Sequence, residues 1–310
     1  MSEEWKLEYA PKDHIEPNIY NGIMEIPLTE EWYSALKSTN NKSAAGNSGI
    51  GYLMVKKASA ATNEILRRFV KLCYKAQIVP LQWKLTSLFP IPKPTDWDYC
   101  IANTRPIVLI ECVRKLTTKI ITSRMSHIFA AHKILRGPNY AGLKGESTDI
   151  PIHTINNIIE DARKKHNELW IAFQDMAKAF DSVRLTPLQH ALSRIRIPEN
   201  LINYIVDLFK NRQIRIITAF GLTDIFTGDD GIDQGDVISP LLWRIFYDPL
   251  LSMVQKHCNL SYTITSSLPR ALRHQTQENH FKSSCSAFAD DTIWLTNNIS
   301  ELQDIVNISD

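Results

Sequence analysis

Two strand-forming segments of this chain end at aspartates and lie more than a hundred positions apart. Residues 169–175 have the sequence L-W-I-A-F-Q-D, in which Leu169, Ile171 and Phe173 share the face that ends at Asp175. Residues 283–295 predict a strand, an Asp-Asp turn and a second strand. A lone Asp-Asp pair is usually a solvated turn. A strand-end aspartate beside a hairpin-turn Asp-Asp, however, can supply the carboxylates of one metal site.

A third motif lies between the two strand segments. Residues 231–242 have the sequence G-I-D-Q-G-D-V-I-S-P-L-L. Gly235 allows the backbone to approach a ligand closely. Just before this motif, residues 214–220 and 223–227 predict a hairpin around Gly221-Leu222.

Positive charge is concentrated in one part of the chain. Residues 42–136 contain 16 lysines and arginines against 4 acidic residues, a balance of +12, although the whole chain carries +2. Arg114 and Lys115 are expected on the surface of a helix over residues 113–129. A basic lobe followed by an acidic remainder suits a protein that binds a polyanion. A solvated lysine-rich surface would have the same composition, so charge alone leaves both interpretations open.

Composition restricts the class of protein. The chain has 310 residues, 44% of them hydrophobic, which suffices for one large core or two compact lobes. It has no run of about 18 apolar residues and no signal-peptide core, so we expect no membrane contact. Five scattered cysteines without a C-x-x-C pair are typical of a reduced protein without a zinc site. We therefore expect an intracellular protein, nuclear or cytoplasmic, that is not secreted.

The three motifs together resemble those of reverse transcriptases, closest to the enzymes of non-LTR (LINE-type) retrotransposons. The resemblance depends on residues 170–183 (W-I-A-F-Q-D-M-A-K-A-F-D-S-V), 231–242 and 287–295 (A-F-A-D-D-T-I-W-L), in this order. It implies an α+β right-hand polymerase with a fingers lobe and a palm whose sheet packs on helices.

The resemblance also implies limits for the domains. These are residues 1–45 for an N-terminal extension, 46–165 for the basic fingers lobe, and 166–310 for the palm. The palm is expected to be truncated at its C-terminal end, with the thumb missing.

Within the palm, the resemblance implies a metal site. Asp175, Asp290 and Asp291 match the catalytic aspartates, which bind two Mg²⁺ or Mn²⁺ ions, and the carbonyl of Met176 matches a further ligand. Hard oxygen ligands suit Mg²⁺, and two ions about 3.5–4 Å apart suit nucleotidyl transfer. Phe180 matches the position at which a bulky side chain excludes the ribose 2′-hydroxyl.

Other positions match residues that bind nucleotide or nucleic acid in the family. Lys93 and Arg105 match the residues that bind the triphosphate, where arginine offers two parallel hydrogen bonds and lysine a point charge. Gln234 and Gly235 match positions beside the template base and the incoming nucleotide. Lys115 matches a basic position expected to contact nucleic acid.

The sequence departs from the family pattern at two positions. Ser48 stands where the stretch K-A-x-G-x-D-G-I has aspartate, and Trp243 stands where phenylalanine is more frequent. The tryptophan is expected to preserve packing, whereas the serine removes a carboxylate.

The implied function is RNA-directed DNA synthesis, in which deoxynucleotides are added to a primer 3′-end. The implied partners are an RNA template, a DNA or RNA primer and deoxynucleoside triphosphates; the motifs make no prediction about oligomeric state. Two alternatives stay open. One is a catalytically silent nucleic-acid-binding remnant of a mobile element, and the other is a reverse transcriptase of the group II intron maturase type.

Overall fold

The computed structural model describes residues 2–94, 100–135, 137–143, 145–257, 261–267 and 278–309. Its α-helices are α1 (Glu3–Glu8), α2 (Thr29–Lys37), α3 (Tyr52–Lys57), α4 (Ala60–Ala76), α5 (Leu81–Lys84), α6 (Cys112–His132), α7 (Asp149–Lys165), α8 (Leu185–Arg194), α9 (Glu199–Phe209), α10 (Ser239–Lys256) and α11 (Ile299–Ser309). Its strands are β1 (Leu85–Pro92), β2 (Thr104–Leu109), β3 (Trp170–Gln174), β4 (Arg212–Thr218), β5 (Gly221–Leu222), β6 (Phe226–Gly228), β7 (Tyr262–Ser267), β8 (Glu278–Ser283), β9 (Cys285–Phe288) and β10 (Asp291–Thr296).

The chain divides into two compact units, each built from separate stretches of sequence. Unit one comprises Met1–Glu8, Leu135–Ala179 and Trp243–Asp310, and unit two comprises Tyr9–Ile134 and Phe180–Leu242. The predicted limits of the extension, fingers and palm are contiguous in sequence, and they stay a prediction.

Unit one contains a three-stranded antiparallel sheet with the order β3-β10-β9, together with the β7-β8 hairpin. Ile158 and Ala162 of α7 are buried in one cluster with Tyr262 and Leu295, and partly buried Ile171 packs against this cluster. The apolar alternation of β3 and β10 therefore places one face of the sheet on α7.

Unit two contains a five-stranded sheet with the order β2-β1-β4-β5, in which β6 also pairs with β4. β1 is antiparallel to β2 and parallel to β4. Helices supply most of its core, where the rings of Tyr74 and Tyr204 meet edge to face at 5.2 Å. Trp32, Phe129 and Phe209 are also fully buried in this unit.

The mixture of helices and sheets confirms the predicted α+β fold class. The hairpin predicted around Gly221-Leu222 is wrong in its turn, because these two residues form β5 and pair with Thr218 and Ile217. The turn lies two residues earlier, at residues 219 and 220, where the Thr218 hydroxyl accepts from the N–H of Phe220 and donates to the carbonyl of Gly221. Local side-chain bonding of this kind moves a turn away from the position that glycine alone would indicate.

Among the described residues, no helix combines the length and apolar character needed to cross a membrane.

Candidate active site

The three predicted catalytic aspartates lie at one end of the unit-one sheet. Gln174, the last residue of β3, pairs with Thr292 of β10, and the next residues along the two strands are Asp175 and Asp291. Asp291 in turn pairs with Phe288 across the β9–β10 turn, which contains Asp290. Strand register therefore gathers at one sheet edge carboxylates that the sequence separates by more than a hundred positions.

The carboxylates interact electrostatically. Desolvation raises the pKa of Asp291 above its ordinary value, and the like charges of Asp290 and Asp175 raise it further. Asp175 and Asp291 are exposed, whereas Asp290 is half-buried. Ionised carboxylates that repel one another at a solvent-facing edge form a site where a cation lowers the free energy.

The donor chemistry at this edge suits a hard divalent ion. Carboxylate oxygens are joined by the backbone carbonyl of half-buried Met176, the residue after Asp175. Within the described part of the chain, no three His, Cys, Asp or Glu side chains converge on a common metal position. Mg²⁺ is commonly held by one or two carboxylates together with waters and substrate phosphates, so a dedicated protein cage is not required. The cluster of three aspartates around two ions stays a prediction.

Hydrogen bonds fix the residues beside the aspartates. The indole N–H of Trp294 donates to the side-chain carbonyl of Gln174 at 2.8 Å, one residue before Asp175. The hydroxyl groups of Tyr247 and Thr292 lie 3.0 Å apart, one residue after Asp291. α10 and the two strands thus support the acidic edge from within unit one.

The apolar face predicted to end at Asp175 is only partly buried. Leu169 and Ile171 pack into the α7 cluster as expected, whereas Phe173 is 79% exposed. The shared apolar face is therefore covered only over its first two apolar positions, and Phe173 at its end is exposed. α7 packs against the first part of the strand, and the alternation of side chains continues beyond it.

Lys93 and Arg105 both lie on the β1–β2 hairpin of unit two. Arg105 pairs with Ile91, and the N–H of Lys93 donates to the carbonyl of Asn103 at 2.8 Å just beyond the last strand pair. The two side chains therefore emerge from the same face as diagonal neighbours. Both are exposed, which leaves two cations available to an anionic ligand.

The middle motif lies against the strand that carries Arg105. The carbonyl of Gln234 accepts from the N–H of Val108 at 2.9 Å. Gly235 has a φ of +118°, and a Cβ added there would lie 3.0 Å from the carbonyl oxygen of Val108. Only glycine satisfies both the left-handed backbone and this close approach.

Phe180 and Lys115 also belong to unit two. Phe180 is half-buried, and its carbonyl accepts from the N–H of Ile232 at 2.9 Å. The ammonium of Lys115 donates to the carbonyl of Ala44 at 3.2 Å and lies 5.6 Å from the centre of the Tyr52 ring. Lys115 is thus engaged within its own unit, and its contact with nucleic acid stays a prediction.

Comparison with known families decides the class of this site. The model of the reverse transcriptase (RNA-dependent DNA polymerase) family matches residues 91–309, more than two thirds of the chain. This chain belongs to the reverse transcriptase family. Membership confirms the predicted family, whose enzymes are RNA-dependent DNA polymerases, a class of nucleotidyltransferase, and use divalent metal ions.

Similar reverse transcriptase sequences come from retrotransposons. The probable RNA-directed DNA polymerase from transposon BS of Drosophila melanogaster is 24% identical over 229 residues, or 72% of this chain and 25% of that protein. The retrovirus-related Pol polyprotein from the type-1 retrotransposable element R2 of Popillia japonica is 27% identical over 270 residues, or 87% of this chain and 34% of that protein. The chain therefore spans between a quarter and a third of the length of these relatives. The predicted resemblance to non-LTR retrotransposon enzymes is confirmed.

Among solved structures, apo telomerase from Candida tropicalis, truncated from its C-terminal domain, is 15% identical with a TM-score of 0.46. That alignment covers 75% of this chain and 47% of the telomerase chain.

A buried charge cluster around the middle motif was not predicted from the sequence. Arg114, predicted on a helix surface, has no exposed side-chain area and lies 3.1 Å from Asp236 as well as close to Asp233. Arg212 binds the other oxygen of Asp233 at 2.5 Å. The hydroxyl of Thr118 donates to Asp236 at 2.6 Å. An aspartate on each side of Gln-Gly is the one signal in the sequence that could have indicated this cluster.

Proposed function

We propose that this chain is the polymerase core of an RNA-directed DNA polymerase that adds deoxynucleotides to a primer 3′-end on an RNA template. The observation that carries the proposal is the register of β3 against β10, which directs Asp175 and the Asp290-Asp291 turn to the same sheet edge. Family membership supports the reaction class. In that reaction the 3′-hydroxyl attacks the α-phosphorus of the nucleotide, and pyrophosphate leaves.

Asp175, Asp290 and Asp291, with the carbonyl of Met176, would hold two divalent ions, Mg²⁺ or Mn²⁺. When bound, such ions lower the pKa of the attacking hydroxyl and neutralise charge on the triphosphate. The pKa of Asp291 is raised first by desolvation and then by the like charges of Asp290 and Asp175, and this supports the role because a bound cation would neutralise those charges.

The other predicted residues would bind and orient the nucleotide. Lys93 and Arg105 would bind the triphosphate, and their exposure on one face of a hairpin supports this assignment. Phe180 would occupy the space that a ribose 2′-hydroxyl needs. Gln234 and Gly235 would lie beside the template base, where a backbone without a Cβ allows close approach. Catalysis of this kind depends on positioning and on charge stabilisation.

The proposed partners are an RNA template, a DNA or RNA primer and deoxynucleoside triphosphates. Lys115 would add a cation along the nucleic acid. The basic balance of residues 42–136 supports binding of a polyanion, and the proposed location is intracellular, in the nucleus or cytoplasm.

Primer extension tests the proposal. The chain is incubated with a DNA primer on an RNA template, deoxynucleotides, and either Mg²⁺ or Mn²⁺, and the products are separated by length. Extension is expected from the unmodified chain and from Asp224→Asn, which removes an exposed carboxylate of unit two. Asp290→Asn is expected to abolish it. Extension that survives Asp290→Asn would overturn the assignment of the site.

The same assay separates the enzyme from a catalytically silent remnant. A remnant would retain the RNA–DNA duplex in a filter-binding or anisotropy assay but yield no product with either ion. The basic stretch alone supports this second function, whereas an acidic sheet edge adds nothing to polyanion binding and favours the polymerase.

A further inference from the structure

Ala289, the residue immediately before Asp290, has a left-handed backbone. Its φ is +58°, in a region that residues other than glycine, asparagine and aspartate rarely adopt. The residue lies in the turn between β9 and β10, so its conformation sets the direction in which the two following aspartates leave the turn. Because alanine does not favour this conformation by itself, its surroundings must hold it there.

Two side chains bind the backbone of Ala289. The amide oxygen of Asn139 accepts from its N–H at 3.2 Å, and the amide nitrogen donates to its carbonyl at 3.1 Å. The indole N–H of Trp243 donates to the same carbonyl at 2.8 Å. Asn139 is 2% exposed and Trp243 is 1% exposed, whereas Ala289 is half-buried, so two buried side chains bind a turn that is partly open to solvent. An asparagine amide supplies both an acceptor for the N–H and a donor for the carbonyl of the same residue.

The segment that carries Asn139 is itself fixed beside the acidic turn. Asn139 forms a parallel bridge with Ala287, whose N–H donates to the carbonyl of Pro138 at 2.8 Å. α10 holds both sides of the segment, since Asp248 accepts from the N–H of Gly137 at 3.0 Å. Arg244 donates to the carbonyl of Ala141, also at 3.0 Å.

We propose that Asn139 and Trp243 are positioning residues of the polymerase site, which hold Ala289 in its left-handed conformation and thereby aim Asp290 and Asp291. The inference rests on the proposed function. The motif around Asp290 does not predict these hydrogen bonds, because Asn139 lies 150 positions before Ala289. Small displacements of groups that position reactants lower rates strongly, about a hundredfold for 1 Å. Loss of the hydrogen bonds that hold Ala289, the residue before Asp290, is therefore expected to lower the reaction rate.

The test begins with a readout that does not require polymerase activity. Amide hydrogen exchange is measured for a peptide spanning residues 288–292 in the unmodified chain and in Asn139→Ala. Exchange there is expected to rise about tenfold, the change that corresponds to loss of one net hydrogen bond. Trp243→Phe keeps a ring in place and removes only the indole donor. It gives a smaller rise in the same peptide, and it serves if Asn139→Ala does not fold.

Asn63→Ala is the matched control. Asn63 is 1% exposed, and its amide oxygen accepts from the indole N–H of Trp32 at 2.9 Å. It repeats the pairing of a buried asparagine with a tryptophan, but in unit two. It is expected to lower the melting temperature as Asn139→Ala does, without changing exchange at residues 288–292. Unchanged exchange at this peptide in both Asn139→Ala and Trp243→Phe would show that the two side chains only pack, and would overturn the proposal.

Kinetics and a rescue variant complete the test. In primer extension, Asn139→Ala is expected to lower kcat by about 10–100-fold with the nucleotide KM within about twofold, whereas Asn63→Ala changes neither. Adding Ala289→Gly to Asn139→Ala is expected to restore part of kcat, because glycine adopts the left-handed conformation without a clamp. The proposal is contradicted if Asn139→Ala raises the nucleotide KM without lowering kcat. It is also contradicted if Ala289→Gly leaves the lowered kcat unchanged. If the unmodified chain extends no primer, the proposed function fails. Hydrogen exchange still decides whether Asn139 and Trp243 hold Ala289 in its conformation.

Discussion

The guanidinium of Arg114 lies 2.6 Å from the carboxylate of Asp233, and neither side chain is exposed to solvent. The Gln-Gly pair of the middle motif directly follows this aspartate and precedes Asp236, the second carboxylate bound by Arg114. With Arg212 the cluster contains two positive and two negative charges. The turn that carries Gln234 is therefore held by a buried arrangement whose net charge is balanced.

Removal of one charge from this cluster is expected to destabilise unit two. Asp233→Asn leaves two buried arginines with a single carboxylate, and breaking a buried pair in this way costs about 3–5 kcal/mol. The free energy of unfolding is measured by urea denaturation. Glu64→Gln is the control, because Glu64 binds Arg67 and Arg68 at a partly exposed site where solvent screens the ion pairs, so a much smaller loss is expected. Equal losses in the two variants would contradict the role of burial.

Two glycines with the same backbone separate strain from close approach. Gly235 and Gly221 both have a φ of +118°, but only at Gly235 would a Cβ meet another atom, the carbonyl oxygen of Val108. Gly221→Ala is expected to cost about 1–3 kcal/mol from strain alone. Gly235→Ala should cost more and also lower primer extension more than tenfold, because β2 must move away from the turn. Similar effects on stability and extension would mean that the contact with Val108 is unimportant.

Sequence patterns predicted the parts of the fold that depend on local order. Alternation along residues 169–175 predicted β3. Strand pairing also brings Lys93 near Arg105, although prolines stand on both sides of Lys93. These features follow from side-chain period and strand register within short segments. The sequence therefore predicted the strands and the turn that carry the three aspartates.

Long-range pairing was not predictable in the same way. Arg114 lies in a basic stretch and resembles a surface cation, and only the tertiary fold brings two aspartates to it. Asn139 and Ala289 are distant in sequence, and neither has a neighbour that signals the other. Phe173 shows the converse, because it shares a face with Leu169 and Ile171 although no described element covers it. The alternation of side chains identifies one face of a strand, but it does not predict how much of that face another element covers.

The departure from the family pattern at Ser48 has a structural counterpart. The hydroxyl of Ser48 donates to one oxygen of buried Glu111 at 2.5 Å, and its N–H donates to the other at 2.8 Å. Ser48→Asp, which restores the family residue, is expected to lower the free energy of unfolding by about 1–3 kcal/mol, because the hydroxyl donor is lost and two carboxylates then meet. Adding Glu111→Gln should recover most of that loss. No recovery in urea denaturation would contradict the pairing.

Neutralising one carboxylate of the acidic edge is expected to stabilise the chain without metal. The folded state raises the pKa of Asp291, so its ionised form opposes folding at neutral pH; this opposition weakens as pH falls through the raised pKa and is gone below the lower pKa of the unfolded chain. Asp291→Asn should therefore raise the melting temperature slightly in EDTA, measured by thermal unfolding at pH 7. The difference from the unmodified chain should shrink near pH 3, where both chains carry a neutral group. A lower melting temperature in EDTA would mean that the carboxylate is a structural acceptor.

The ratio of ribonucleotide to deoxynucleotide incorporation tests the proposed role of Phe180 in selecting the sugar. If Phe180 occupies the space of the 2′-hydroxyl, Phe180→Val should raise the ratio of ribonucleotide to deoxynucleotide incorporation by about tenfold or more, equivalent to about 1.4 kcal/mol. The ratio is measured by single-nucleotide extension with matched concentrations of the two nucleotides. Phe220→Val is the control, because Phe220 belongs to the same unit and is fully exposed at a hairpin turn. If Phe180→Val lowers both incorporations equally, the half-buried ring is a packing residue and sugar selection must come from another part of the site.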